Sequence, residues 1–156
     1  MELSAAESFR AAPGLEWLAD DGEVKPVDVH RRRVDEGTSW VAELDGEPVG
    51  FLCAEMFGRE LHVWELAVRR DRQGHGLGSR LIAAAVDDAR RRGLDAVTLS
   101  TFRDVPWNEP FYARLGFVRI DDLRDEPRLA AILRSEIDQG LPGERRCAMR
   151  FALTAD

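Results

Sequence analysis

The chain reads as an α/β domain built on a mixed, mostly antiparallel sheet, and three observations predict it. Leu61 to Phe102 runs strand, glycine-rich turn, helix, strand, a crossover unit that implies a parallel pair. Ahead of it, Ser39 to Leu44 and Val49 to Met56 are β-rich runs around Asp45-Gly46-Glu47-Pro48, a hairpin signal. Behind it, Phe117 to Ile120 and Cys147 to Leu153 supply further strands. At 156 residues and 44% hydrophobic composition, the whole chain, 1–156, is expected to form one domain with a sizeable core.

Met1 to Arg10 reads as a short helix, with Ser4 as its cap and Glu7 at the capping-box position, broken by Pro13-Gly14. Asp20-Asp21-Gly22 is a turn, and Pro26 to Glu36 is a second helix stopped by Gly37. After the hairpin, Phe57-Gly58-Arg59-Glu60 turns the chain into a central strand at Leu61 to Val68. Ser79 to Arg92 carries Leu81, Ile82, Ala85, Val86 and Ala89 along one helical face, and Gly93 stands where a left-handed terminator belongs. Ala96 to Phe102 alternates as a strand should. Asn108 suits a helix cap, with Pro110 tolerated in the first turn and Gly116 ending that helix. An extra helix is expected over 125–139, closed by Gly140 to Gly143.

Between the central strand and the main helix lies Gln73-Gly74-His75-Gly76-Leu77-Gly78. Glycines let the backbone take unusual φ values and leave no Cβ between the amides and a ligand. The first helical turn has unpartnered N–H groups, and the dipole favours negative charge there, so a phosphate or pyrophosphate is the natural guest. A nucleoside-triphosphate loop would need Gly-Lys-Ser/Thr, and the only lysine is Lys25. A dinucleotide fingerprint counted from Gly74 would need glycine where Ser79 stands. Asp95 lies near the place of a ribose-binding acid, which keeps a nucleotide-dependent oxidoreductase as a weaker alternative.

Gln73, Gly76 and Gly78, after a strand ending Glu65-Leu66-Ala67-Val68, match the Gln/Arg-x-x-Gly-x-Gly/Ala pattern of another group. Downstream, Phe111-Tyr112-Ala113-Arg114-Leu115-Gly116-Phe117 supplies a Tyr-x-x-x-Gly-Phe segment. Together these resemble the GNAT superfamily of acyl-CoA-dependent N-acyltransferases, over roughly Trp40 to Ile120. The resemblance implies a twisted sheet with helices on both faces and one central parallel pair splayed at the cofactor site. Relatives begin with a strand before the first helices, and none precedes Ser4 here.

What the resemblance implies for chemistry is direct transfer of an acetyl group from acetyl-CoA to an amine, carried by a small molecule or a protein. Backbone groups of Leu66, Ala67 and Val68 would pair with the pantetheine arm. The pyrophosphate would take the amides of Gln73, Gly74, His75, Gly76, Leu77, Gly78 and Ser79. Asn108 would bind the pantetheine, although it lies closer to the tyrosine than in many relatives, which leaves capping as an equal reading. An alkylammonium with pKa near ~10.4 must lose a proton before it attacks. Glu65 is the candidate base, a lone acid in an apolar strand; His62, three residues earlier and on the opposite face of a regular strand, is the substitute. Tyr112, the only tyrosine, is the candidate acid for the leaving thiolate. Trp64, Phe102 and Trp107 are candidates to line the acceptor pocket.

A net charge of −7 argues against non-specific nucleic-acid binding. Residues 1–60 carry 14 acids and 6 bases, whereas residues 69–92 carry 7 arginines and 3 aspartates. That basic stretch suits a polyanionic cofactor, and Arg90-Arg91-Arg92 equally suits a solvated helix end. Apolar runs fall short of the ~18 residues a membrane span needs, and the N-terminus has no signal-peptide pattern, so a cytoplasmic home is expected. Cys53 and Cys147 read as buried thiols, and scattered histidines suggest no metal site. The resemblance also allows a homodimer, and a non-catalytic CoA-binding or partner-binding module is the alternative to an enzyme.

Overall fold

The computed structural model describes residues 2–20 and 26–153, so the turn expected at Asp20-Asp21-Gly22 lies largely outside the described residues. Six strands, β1 (Ser39–Leu44), β2 (Glu47–Phe57), β3 (Glu60–Val68), β4 (Ala96–Phe102), β5 (Val118–Ile120) and β6 (Arg146–Ala152), form one sheet in the order β1-β2-β3-β4-β6-β5. Only β3 and β4 run parallel; the other neighbours are antiparallel. The helices are α1 (Glu2–Ala6), α2 (Val27–Asp35), α3 (Leu77–Arg91), α4 (Glu109–Arg114) and α5 (Pro127–Asp138).

Local chemistry accounts for most of these boundaries. Asp45 (φ 53°) and Gly46 (φ 78°) both occupy the left-handed region, which a two-residue primed turn demands. The hairpin loop is therefore shorter than the four-residue signal, and Glu47 and Pro48 belong to β2. The predicted apolar face of α3 is buried, each of its five residues at 5% exposure or less. At ~1.5–3 kcal/mol for each large side chain, that stripe does much to hold α3 on the sheet. It packs on Leu52, Ala54, Leu61, Val63, Val97 and Leu99. Gly93 (φ 71°) ends the helix as expected, with the Leu94 N–H donating to the Ala89 carbonyl at 3.0 Å.

The N-terminus departs from expectation. The helix begins at Glu2, so Ser4 stands inside it rather than before it, and the chain tightens into a 3₁₀ turn over Glu7–Ala11. Among the described residues no strand precedes β1.

One irregularity positions everything that follows. In the β2–β3 ladder Cys53 faces Glu65 while Ala54 faces Val63, leaving Trp64 as the extra residue of a β-bulge. Residues directly opposite in an antiparallel pair share a face. Glu65 therefore lies on the face of Cys53 and Glu55, away from α3, and so does His62, which pairs with Glu55. The expectation that His62 and Glu65 point to opposite sides fails because the bulge shifts the strand's phase by one residue.

The two faces differ in kind. The α3 and α4 side is apolar. The side covered by α2, α5 and the N-terminal segment is a polar seam. There Arg33 meets Glu55 at 3.0 Å, Arg128 meets Thr98 at 3.1 Å, and Arg150 meets Glu60 at 2.6 Å. Among the described residues no helix is long and apolar enough to cross a membrane.

Candidate active site

The parallel ladder between β3 and β4 runs from Glu60 opposite Ala96 to Val63 opposite Leu99 and stops. Both strands continue, so Trp64 to Val68 and Ser100 to Phe102 form the two walls of a cleft of about 740 Å³. The bulge at Trp64 marks the point of parting, which is the splay the family resemblance implied. On the open edge of β4, the Asn108 Oδ1 accepts from the Thr101 hydroxyl (2.8 Å) and from the Phe102 N–H (3.3 Å). It thus accepts from the β4 edge where the carbonyl of a neighbouring strand otherwise would. Asn108 does hold the N-cap position of α4, but its side chain makes no capping bond, because its oxygen is engaged with β4. Its side-chain amide borders the cleft.

At one end of the cleft the glycine-rich loop leads into α3. Gly74 (φ 81°) and Gly76 (φ 77°) are left-handed, and a Cβ at either would meet no atom within 4 Å. Backbone conformation alone, not crowding, calls for glycine there. The first helical N–H to find an intrahelical partner is that of Arg80, on the Gly76 carbonyl at 3.1 Å. Among the described residues the amides of Leu77, Gly78 and Ser79 have no backbone partner, and they stand at the positive end of the helix dipole. The row is shorter than the sequence suggested at its start, because the Gln73 N–H turns back to the Arg70 carbonyl at 3.4 Å. The Gln73 side chain instead tethers the loop: its Nε2 donates to the Val68 carbonyl (3.0 Å), and its Oε1 accepts from the Ser8 hydroxyl (3.1 Å). His75 is exposed at the tip. The basic residues divide. Arg72 lines the cleft, whereas Arg90, Arg91 and Arg92 pair with Asp87 and Asp88 at the far end of α3. That end is ~20 Å from the loop, so this run is a solvated helix end.

Tyr112 enters the cleft from α4. Its ring meets Phe111 and Phe117 edge-on at 5.1 and 5.7 Å, which fixes its direction. Among the described residues its hydroxyl has no protein partner. Burial pushes the phenol well above its ordinary value, and the positive charge of Arg146 pulls the other way. The group is thus held protonated. Glu65 lines the cleft from the opposite face of the sheet. His62 does not line it: the ring is fully buried, Nδ1 lies 2.9 Å from the Thr98 hydroxyl, and burial is the main cause that pushes its pKa down to about 3. A ring so placed has no route to a substrate proton.

Several cleft residues escaped the sequence reading. Ser8 and Phe9 reach it from the N-terminal segment, Phe9 meeting Phe102 at 5.7 Å and Trp107 at 6.0 Å. Ser100 and Arg146 form its polar floor, tied to Glu136 of α5. The alternation along β4 already put Ser100 and Phe102 on one face; their partners lie far away in sequence and left no local signal.

A sheet parted at its one parallel pair, with a glycine loop and a helix N-terminus at the end of the gap, defines an acyl-CoA-type transferase fold. Residues 4–117 match the Acetyltransferase (GNAT) family, and the chain belongs to it. Over 81 residues, half of this chain, it is 36% identical to a probable N-acetyltransferase camello of Xenopus tropicalis, covering 37% of that protein. Over 90 residues, 53% of this chain, it is 34% identical to an uncharacterised N-acetyltransferase of Methanocaldococcus jannaschii, covering 40% of that protein. The chain thus spans less than half the length of these relatives. Among solved structures, the PaiA N-acetyltransferase of Thermoplasma acidophilum, in complex with coenzyme A, superposes with a TM-score of 0.65 at 15% identity, over 97% of this chain and 93% of that one.

Proposed function

We propose that this chain is an acetyl-CoA-dependent N-acetyltransferase acting by direct attack of an amine on the thioester. The observation that carries the reading is the parting of β3 and β4 beyond Val63 and Leu99, with Tyr112, whose hydroxyl has no partner among the described residues, lining the gap and the first amides of α3 at its end. The residues present fit coenzyme A: a strand edge at Leu66, Ala67 and Val68, whose last carbonyl also accepts from Gln73, for an amide-bearing arm, and the row Gly74 to Ser79 for a diphosphate. The bound cofactor supplies an acetyl group activated as a thioester.

Each remaining step belongs to this chain. Glu65 takes the proton an alkylammonium must shed before its nitrogen lone pair is available. Trp64 and Ser100 bound the space through which that nitrogen reaches the carbonyl carbon. As the carbon–nitrogen bond formed and the carbon–sulfur bond broke, the attacking nitrogen would release its second proton to solvent and the Tyr112 hydroxyl would give its proton to the departing sulfur. Arg146 stabilises the phenolate left behind until solvent reprotonates it. The products are the amide and the free thiol. A cytoplasmic setting goes with the reading, and Cys53 and Cys147 are buried thiols consistent with it.

The test is release of free thiol from acetyl-CoA in the presence of amines, for the wild type and Tyr112→Phe. Turnover should fall by ~10²–10⁴ in the variant, while the dissociation constant of coenzyme A stays within about twofold. Unchanged turnover removes Tyr112 from the mechanism. Saturable cofactor binding with no product from any amine would make the chain a binding module instead.

A further inference from the structure

The acceptor's chemistry follows from which side chains border the cleft on the face away from Tyr112, and this inference rests on the acetyltransferase reading above. Along β4, Leu99 and Thr101 turn toward α3 and α4, while Ser100 and Phe102 turn the other way. The bulge brings Trp64 and Glu65 to that same second face. An amine approaching the gap from the side opposite Tyr112 therefore meets these residues.

Two features of that face select the acceptor. The first is aromatic: Phe9 stands edge-on between Phe102 and Trp107, and Trp107, 37% exposed, lines the cleft. The second is the sign of the charge. Arg146, the cation of this end, is held by Glu136 through two hydrogen bonds of 3.0 and 2.8 Å and lies 4.5 Å over the Phe102 ring. It has no fork left for a second carboxylate. The carboxylates of Glu65 and Glu2 border the same cleft. Carboxylates on that face draw a cation, and an anion finds Arg146 already engaged with Glu136 and Ser100.

We propose that the acceptor is a primary amine carried one or two atoms from an aromatic or bulky apolar group and lacking an adjacent carboxylate, with Trp107 setting the preference for the apolar group. The ring lies against Phe9 and Trp107, and the amine lies toward Glu65. Such an amine can come from a free arylalkylamine or from a peptide that begins with an aromatic residue.

The experiment compares kcat/KM by thiol release for ethylamine, 2-phenylethylamine, phenylalanine and the amidated dipeptide Phe-Gly. Phenylethylamine should exceed ethylamine at least tenfold and phenylalanine at least tenfold; its ratio to the dipeptide tells the free amine from the peptide. In Trp107→Ala the phenylethylamine-to-ethylamine ratio should fall at least fivefold, with KM for acetyl-CoA within twofold, and Trp107→Phe should keep the wild-type ratio. Trp107→Gln, which retains bulk without a ring, should behave as the alanine variant does and serves if that one does not fold. A wild-type ratio near one, a ratio that survives loss of the ring, or phenylalanine equal to phenylethylamine overturns the aromatic subsite alone. Absence of thiol release with every acceptor overturns the acetyltransferase reading, and this inference with it.

Discussion

Mild acid should loosen this protein through one side chain, and the size of the effect can be worked out. His62 is fully buried on β3, its Nδ1 2.9 Å from the Thr98 hydroxyl and its Nε2 without a partner, 4.5 Å from the Trp64 ring between centroids. Burial, then the positive charges of Arg128 and Arg33, push its pKa from 6.5 down to about 3, against a smaller opposing pull from Glu60. Below pH 6.5 the unfolded chain takes up a proton that the folded chain refuses until about pH 3. The stability contributed by the neutral ring is therefore complete above pH 6.5 and is lost as the pH falls toward 3. The slope is ~1.4 kcal/mol per pH unit, so about 2 kcal/mol is lost between pH 6.5 and 5. Carboxylates protonate in the unfolded chain only near ~4, which leaves this window to histidine. Urea unfolding at pH 7, 6 and 5 and constant ionic strength, on the wild type and His62→Gln, measures the effect. His30 and His75 remain in both proteins and cancel. The wild type should lose ~2 kcal/mol that the variant does not. A flat wild-type profile, or a variant just as steep, refutes the neutral buried imidazole.

Two further outcomes bear on the cleft. Gly76→Ala adds a Cβ that meets no atom within 4 Å, so its cost is the left-handed backbone alone, ~1–2 kcal/mol. Relaxation of that strain should turn the loop amides and raise the coenzyme A dissociation constant about tenfold by calorimetry, ~1.4 kcal/mol. Gly46→Ala, equally left-handed (φ 78°) in the hairpin, should destabilise similarly and leave that constant alone; equal binding losses in both variants would dissociate the loop from the cofactor. Glu65→Gln should lower kcat at neutral pH by ~10²-fold or more and leave KM for acetyl-CoA alone; a kcat that does not move assigns proton removal to another group.

Much of this architecture was written locally. The stripe on α3, the Asp45-Gly46 hairpin, the terminator at Gly93 and the loop from Gln73 to Ser79 each follow from short-range patterns, and the structure has all of them. The bulge has a local signature too. Leu61 and Val63 keep a two-residue period, as do Leu66 and Val68, but the step from Val63 to Leu66 is three. That break is the phase shift itself, and both sets face α3. What no local pattern encodes is pairing across the chain. Arg146 with Glu136 and Ser100, Asn108 with the open edge of β4, and Phe9 between Phe102 and Trp107 are meetings arranged by the fold. The N-terminal residues were hardest of all, since a short helix tightening into a 3₁₀ turn is decided by what it packs on rather than by its own propensities.

Trp64 gives β3 a seam at which inside and outside change places, and the strand's tolerance to altered length follows from it. Removing any one residue between Leu61 and Trp64 while the rest of the ladder stays in register would restore an unbroken alternation. The chain would then have to choose between two losses: a histidine, an acid and an indole thrust against Leu81 and Ala85, or a strand that no longer parts from β4. Substitutions in this stretch trim or enlarge the cleft, whereas a single deletion closes it.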